Sequence, residues 1–306
     1  MRIDVYLPLA LSLLLAAVSP AVGRRLAPAP AARALAVSAA LTAAASVWGL
    51  ILLAATLLGD SPPVVAEARE HRFHIPEPVP FAIAIAALPA LTAVVVRLWR
   101  TLRAVRVTGR ALRRLSASHP GGTELIVAAS AQPQAFAVPL RGPDAPGRIL
   151  VSTGMLAVLD APERQVLLAH ERAHLVHGHS RLALLAEVAA AVNPLLIPVR
   201  DTIGFLLERW ADERAAEAAG DRRVAARALA RAALASHGSQ APLCAALGFS
   251  EHGITRRVSA LQRAPLPTVR AAVLAVLLLG LVPAVGAADA THDFLRMMGR
   301  YLALWL

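Results

Sequence analysis

Four uncharged, apolar runs, at residues 5–22, 34–59, 79–96 and about 271–288, set the limits on what this chain can fold into. Each is long enough to cross roughly 30 Å of hydrocarbon as a helix. Composition agrees: the 306 residues are 57% hydrophobic and only 17% charged, with a mean hydropathy of +0.58, outside the usual range of soluble globular proteins. The chain therefore reads as a multi-pass membrane protein. A cleaved signal peptide is disfavoured for the first run, because Asp4 spoils a basic start and Arg24 and Arg25 follow at once.

The distribution of arginine orients the spans. All 31 basic residues are arginine, and the formal net charge is +11. Arg24, Arg25 and Arg33 lie between the first two runs, whereas the 60–78 loop mixes Asp60, Glu67, Glu70 and Glu77 with Arg69 and Arg72. Seven arginines from Arg97 to Arg114 follow the third run, with no acid before Glu124. Arg256, Arg257, Arg263 and Arg270 precede the fourth, and Asp289 and Asp293 follow it. By the positive-inside rule both termini lie outside and residues 97–270 are cytoplasmic. Expected partners are therefore the bilayer and its anionic lipids. No direct nucleic-acid contact is expected, since aromatics, at 4%, are too sparse for a base-stacking surface. The lone Cys244 excludes an internal disulfide and a cysteine-based zinc site.

Within the cytoplasmic segment, arginine recurs every three or four residues from 97 to 114, a basic stripe if helical, until His119-Pro-Gly-Gly breaks the helix. Short strands are expected at 124–130, 134–139 and 148–152. Asp160-Ala-Pro-Glu163 then supplies an N-cap, an early proline and a capping-box glutamate, so a helix starts there and ends near Gly178. It carries L-A-H-E-R-A-H-L-V-H-G-H at 168–179.

On a helix His170 and His174 share a face one turn apart and can reach one tetrahedral ion. Glu171 is rotated about 100° away, able to reach a metal-activated water but poorly placed to ligate. This is the zincin arrangement, with His170 and His174 as ligands and Glu171 as catalytic base. A chain with ten histidines and eleven glutamates produces H-E-x-x-H by chance only about 0.01 times. Glu208, in E-R-W-A-D, is the natural third ligand, with Asp212 one turn on as acceptor for an imidazole N–H. The same run also reads as a solvated helix with Arg209, Asp212, Glu213, Arg214 and Glu217 as surface ion pairs. His177 and His179 are alternative ligands or C-terminal cap residues, and His237, His252 and His292 read as loop or surface residues. Residues 182–199 are apolar but interrupted by Glu187 and Asn193-Pro194; a single crossing would put His174 and Glu208 on opposite sides, so a helical hairpin turning near Asn193-Pro194 is expected.

R-I-L-V-S-T-G-M-L-A-V-L-D-A-P-E, L-A-H-E-R-A-H-L and E-R-W-A-D-E-R-A-A together resemble the BlaR/MecR-type membrane metallopeptidases, gluzincin-like relatives of HtpX and the CAAX-prenyl endopeptidases. The resemblance implies one Zn2+ held by His170, His174 and Glu208, Glu171 as base and Asp212 orienting a ligand. It also implies a protein substrate, with a winged-helix repressor as one form, and so a signalling role in a bacterial plasma membrane. Only about 18 residues follow the fourth run, so no penicillin-binding sensor domain is expected. Arg256 or Arg257, in a segment also similar to that family, is a candidate to face substrate, with helix-surface charge as the plainer reading.

The expected architecture is a mainly α-helical multi-pass membrane protein with a cytoplasmic α+β zincin-like metallopeptidase domain containing a small β-sheet. Its parts are three transmembrane helices over 1–96, the peptidase domain over 97–267, a fourth span over 268–288 and an amphipathic tail over 289–306. The strand at 148–152 is a candidate edge for an extended substrate. Two rival functions are membrane-protein quality control and a non-catalytic zinc-containing scaffold, the latter disfavoured because a structural site needs no Glu171.

Overall fold

The computed structural model describes residues 6–59, 81–117, 123–139, 147–236 and 253–302. The 60–78 loop, the break at 119–122, His237, Cys244, His252 and residues 303–306 lie outside them. Among the described residues four helices are long and apolar enough to cross a membrane: α1 (Leu7–Arg25), α2 (Pro28–Gly59), α3 (Phe81–Ala117) and α10 (Arg270–Leu302). They match the four apolar runs of the sequence.

α3 and α10 continue far past the C-terminal ends of their apolar runs. The basic stripe is not a separate element, because α3 continues without interruption from Phe81 to Ala117. Likewise α10 passes through Asp289 to Leu302, where a boundary at 288 was expected. Packing explains the continuity: Phe294 sits against Leu52, Leu53, Ala87 and Ala290, and Trp48 Nε1 donates to Thr291 Oγ1 at 2.6 Å. Farther down, α10 crosses α2 so closely that a Cβ on Gly280 would lie 2.4 Å from Ser38 Cα. Small residues permit that approach, and Ser38 Oγ donates to Val276 O at 2.7 Å.

The segment between α3 and α10 begins with a three-stranded sheet of β1 (Leu125–Ala128), β2 (Ala135–Val138) and β3 (Arg148–Ser152), in the order β1-β3-β2. β1 pairs parallel with β3, placing Leu125 opposite Ile149, and β2 pairs antiparallel, placing Ala135 opposite Val151. The expected role of residues 148–152 as a substrate edge is thereby corrected. β3 is the central strand and its polar backbone is engaged on both sides; the outer strands are β1 and β2. The reason is burial, since four of the five residues of β3 are buried and only a central position shields both faces and both ladders.

Helices α4 (Thr153–Val158), α5 (Ala161–Val176), α6 (His179–Val192), α7 (Ile197–Ala219), α8 (Arg222–Ser236) and α9 (Ile254–Leu261) complete the segment. α6 and α7 form the hairpin expected from residues 182–199. Asn193 makes the turn: its side-chain oxygen accepts from Leu195 N at 3.1 Å, opening a 3-10 turn at Pro194–Leu196. Its amide also donates to Ser12 Oγ at 2.7 Å and Ser46 Oγ at 3.0 Å, which seats the tip between α1 and α2. From there α7 runs beside α1 as far as Gly23, whose carbonyl accepts from Arg209 Nη1 at 3.0 Å. Leu15, Leu35, Leu196, Ile203 and Leu206 fill the shared core. The hairpin is thus built into the span bundle while its two ends reach the histidine helix and Glu208.

Candidate metal centre

The histidine helix is fixed at both ends by local sequence. Asp160 Oδ1 accepts from Glu163 N at 2.9 Å and Glu163 Oε2 accepts from Asp160 N at 3.1 Å, the capping box expected from the sequence. The fully buried Glu163 also takes Arg227 Nε at 2.9 Å and Arg231 Nη1 at 2.8 Å, which ties the start of α5 to α8. At the other end Gly178 adopts φ +63°, a left-handed conformation that costs glycine nothing and separates α5 from α6.

Within this frame His170 and His174 face each other with their Nε2 atoms 3.1 Å apart. α7 brings Glu208 opposite them, its carboxylate oxygens 3.6 Å from His170 Nε2 and 3.5 Å from His174 Nε2. Tetrahedral bonds of about 2.0–2.1 Å place zinc donors roughly 3.3–3.4 Å from one another. The three separations bracket that value, so the donor set fits a zinc-sized ion with nitrogen and oxygen ligands. His170, His174 and Glu208 also form the one group of metal-competent side chains found among the described residues.

Each histidine is held from behind by a different partner. His170 Nδ1 lies 3.1 Å from Asp212 Oδ1, the contact expected of Asp212. His174 Nδ1 lies 3.0 Å from Nδ1 of the buried His179. If Nε2 of His174 binds the ion, its Nδ1 carries the proton and donates, and His179 accepts. His179 packs against Trp210 with ring centroids 4.6 Å apart, His177 stacks on the same indole, and the Arg33 guanidinium of α2 lies 4.6 Å from the centre of that ring. Neither His177 nor His179 belongs to the ligand cluster.

Sequence reasoning left the role of Arg257 open. Helix-surface charge, the plainer reading, is corrected: Arg257, on α9, is 12% exposed and clamps two site carboxylates. Its Nε and Nη2 each lie 2.7 Å from Asp212, and Nη1 lies 2.9 Å from Glu208. No spacing rule links residue 257 to 208 and 212; only its place in a family-like segment marked it. Arg256 is exposed, near Phe205. The solvated-helix reading of α7 fails for the same reason: Arg209 and Asp212 are buried, while the surface pair is Arg214 with Glu217 at 2.7 Å.

These contacts set the charges. Burial opposes ionisation of Glu208 and Asp212, but the Arg257 guanidinium more than offsets it and holds both below the usual carboxylate range. Burial likewise opposes a charged His170, yet Asp212 and Glu208 raise its pKa to about 10. His174 is dominated by burial and falls to about 4. Glu171, 8% exposed and hydrogen-bonded to the backbone of Ala137 in β2, is pushed upward by burial. A raised glutamate pKa suits a group that must accept and then return a proton. Beside it a cleft of about 270 Å³ opens from His170 and Glu171 onto Met155, Val166, Ala228 and Ala232.

Helices able to span a membrane, a small sheet and an H-E-x-x-H helix faced by a glutamate define a membrane-associated metallopeptidase. The sequence model of peptidase family M48 matches residues 99–274, and the chain belongs to that family, whose peptidases are zinc-dependent. No curated protein and no solved structure matches the chain.

Proposed function

We propose that this protein is a membrane-embedded zinc endopeptidase of the BlaR/MecR type, working at the cytoplasmic face on a protein substrate. The observation that carries the reading is the His170, His174 and Glu208 triangle with the buried Glu171 beside it. Arginine asymmetry supports the orientation, with the site and both ends of the α6–α7 hairpin on one side of the bilayer.

His170, His174 and Glu208 would hold the ion, which would supply Lewis acidity toward the scissile carbonyl and lower the pKa of water. Glu171 takes the proton from the attacking water and returns it to the departing amine. Asp212 and His179 fix the two imidazoles, and Arg257 keeps Glu208 and Asp212 anionic. β2, the outer strand whose Ala137 meets Glu171, offers an extended substrate a backbone edge, and the apolar cleft receives a hydrophobic side chain. A cytoplasmic repressor is the substrate suggested by the resemblance, which makes the protein a signal transducer.

The test is zinc content and proteolysis of the full chain purified in detergent, wild type beside Glu171→Gln, with a candidate repressor and the chain itself as substrates. Zinc in both and cleavage by wild type alone is the expected result, with a loss of at least about 10²-fold, the low end for a general base. Absence of zinc from wild type, or equal cleavage by both, overturns the reading.

A further inference from the structure

A second cavity, of about 240 Å³, shares no residue with the cleft at the metal centre. It lies between α3, α6 and α7 and is lined by Arg97, Arg100, Thr101, Glu187, Ala190 and Arg200 among others. Three guanidiniums therefore line one small space with two carboxylates beside them, Glu187 in the lining and Asp201 on Arg200. Arg97 Nη2 donates to Ala190 O at 2.9 Å, which pins it to the last turn of α6. Arg200 lies 3.6 Å from Glu187 and pairs with the exposed Asp201 at 2.7 Å. Arg100 is exposed and has no ion pair among the described residues. Like charges gathered in this way are repulsive unless an anion joins them.

Position indicates which anion. The uncharged run of α3 from Phe81 to Val96 is about 24 Å long as a helix and ends at Arg97, so the cavity opens where hydrocarbon gives way to headgroups. Ile85, Leu88, Val95 and Val96 leave an exposed apolar flank leading to it. Trp99 is 57% exposed, with the Arg103 guanidinium 5.3 Å from its ring centre, the amphipathic pairing favoured at an interface.

We propose that this cavity binds the phosphate of an anionic phospholipid, with Arg97 and Arg100 on one side, Arg200 on the other, and the acyl chains along the apolar flank of α3. Guanidiniums suit the task because each presents paired N–H donors matched to phosphate oxygens. A phosphate held there joins the third span to α7, the helix that carries Glu208. The assignment does not depend on the chain being a protease.

The experiment counts lipids retained by the delipidated full chain after reconstitution in phosphatidylcholine discs with increasing phosphatidylglycerol, read by native mass spectrometry. Arg100→Gln and Arg200→Gln are compared with Arg110→Gln, which lies on the same basic stripe but outside the cavity. Retention of phosphatidylglycerol over phosphatidylcholine is expected in wild type, weakened at least about tenfold in either cavity variant, while Arg110→Gln stays within about twofold. Arg100→Gln breaks no ion pair among the described residues, so its loss of binding reports the site rather than misfolding. Equal losses in all three variants would show diffuse charge attraction and overturn the proposal, as would absence of a preference. Inorganic phosphate is the remaining arm: if it binds wild type and phosphatidylglycerol does not displace it, the cavity is a soluble-anion site and the lipid assignment fails.

Discussion

The two histidines that face the candidate metal position are held in opposite ways. Behind His170 stands a charged assembly, Asp212 with both its oxygens taken by Arg257, which also reaches Glu208. Behind His174 stands a stack of rings, His179 on Trp210, capped by Arg33 from α2. The first side depends on charge balance and borders the apolar cleft; the second depends on shape and packs against α2. Substitutions that keep shape but remove charge should therefore hurt the first side and spare the second.

Arg257→Met should have the largest effect. It leaves Glu208 and Asp212 buried without their guanidinium, and stranding a buried ion-pair partner costs about 3–5 kcal/mol. With zinc bound, Glu208 regains a cation, while Asp212 keeps only its contact with His170 Nδ1. The melting temperature in detergent should thus fall further for chelator-treated protein than for zinc-loaded protein. Equal falls in the two forms would show that Arg257 contributes packing rather than charge.

The same dependence on charge extends to the start of α5. Burial disfavours ionised Glu163, but Arg231, the Asp160 N–H and Arg227 outweigh it and hold the carboxyl below its ordinary pKa. A lowered folded-state pKa gives stability that is fully present above the unfolded value, about 4.3, and is lost as pH falls through the folded value. Glu163→Gln should cost on the order of 2–3 kcal/mol at neutral pH, the buried-pair figure reduced because both arginines are about half exposed. The gap from wild type should narrow on acidification below pH 4; a gap independent of pH would rule out the ionised carboxylate as its source.

Asp212→Asn preserves shape and removes charge. Its amide N–H group would face Arg257, donor against donor, and His170 would lose an anionic acceptor. Zinc affinity, measured by competition with a chromophoric chelator, should fall about 10- to 100-fold. Affinity within twofold of wild type would show that charge behind His170 is immaterial.

How much of this was legible in the sequence follows the same division. His170, Glu171, His174 and the capping box follow from spacing along one helix, where periodicity alone sets which residues share a face. Glu208 and Asp212 emerge as candidates from combining a carboxylate pair at helical spacing with the need for a third ligand. The central place of β3 is not legible in the sequence, because short apolar strands carry no signal for their order in a sheet. The clamp made by Arg257 is not legible in the sequence, because its partners lie 45 and 49 residues away and nothing local encodes such a contact. His179 reads as a ligand or a cap, since the sequence shows its turn but not the ring of Trp210 beneath it. The apolar runs locate the four long helices, whereas the continuation of α10 past Asp289 rests on contacts such as Phe294 with Leu52 and Leu53, which no local pattern encodes.

The smallest effect, and the sharpest contrast, belongs to His179. His179→Phe keeps a ring for Trp210 but removes the nitrogen that faces His174 Nδ1. A lost buried hydrogen bond of about 1–2 kcal/mol corresponds to roughly tenfold weaker zinc binding. His179→Gln restores a neutral acceptor at similar reach and should return affinity to within about threefold of wild type. Neutral rescue at 179 alongside failure of neutral Asn at 212 is the pattern expected if one imidazole is held by shape and hydrogen bonding and the other by charge. If Phe and Gln weaken zinc equally, the contact with His174 Nδ1 does not orient it and the ring stack serves packing alone. If Asn at 212 is tolerated as well as Gln at 179, the two sides of the centre are equivalent and charge behind His170 is dispensable.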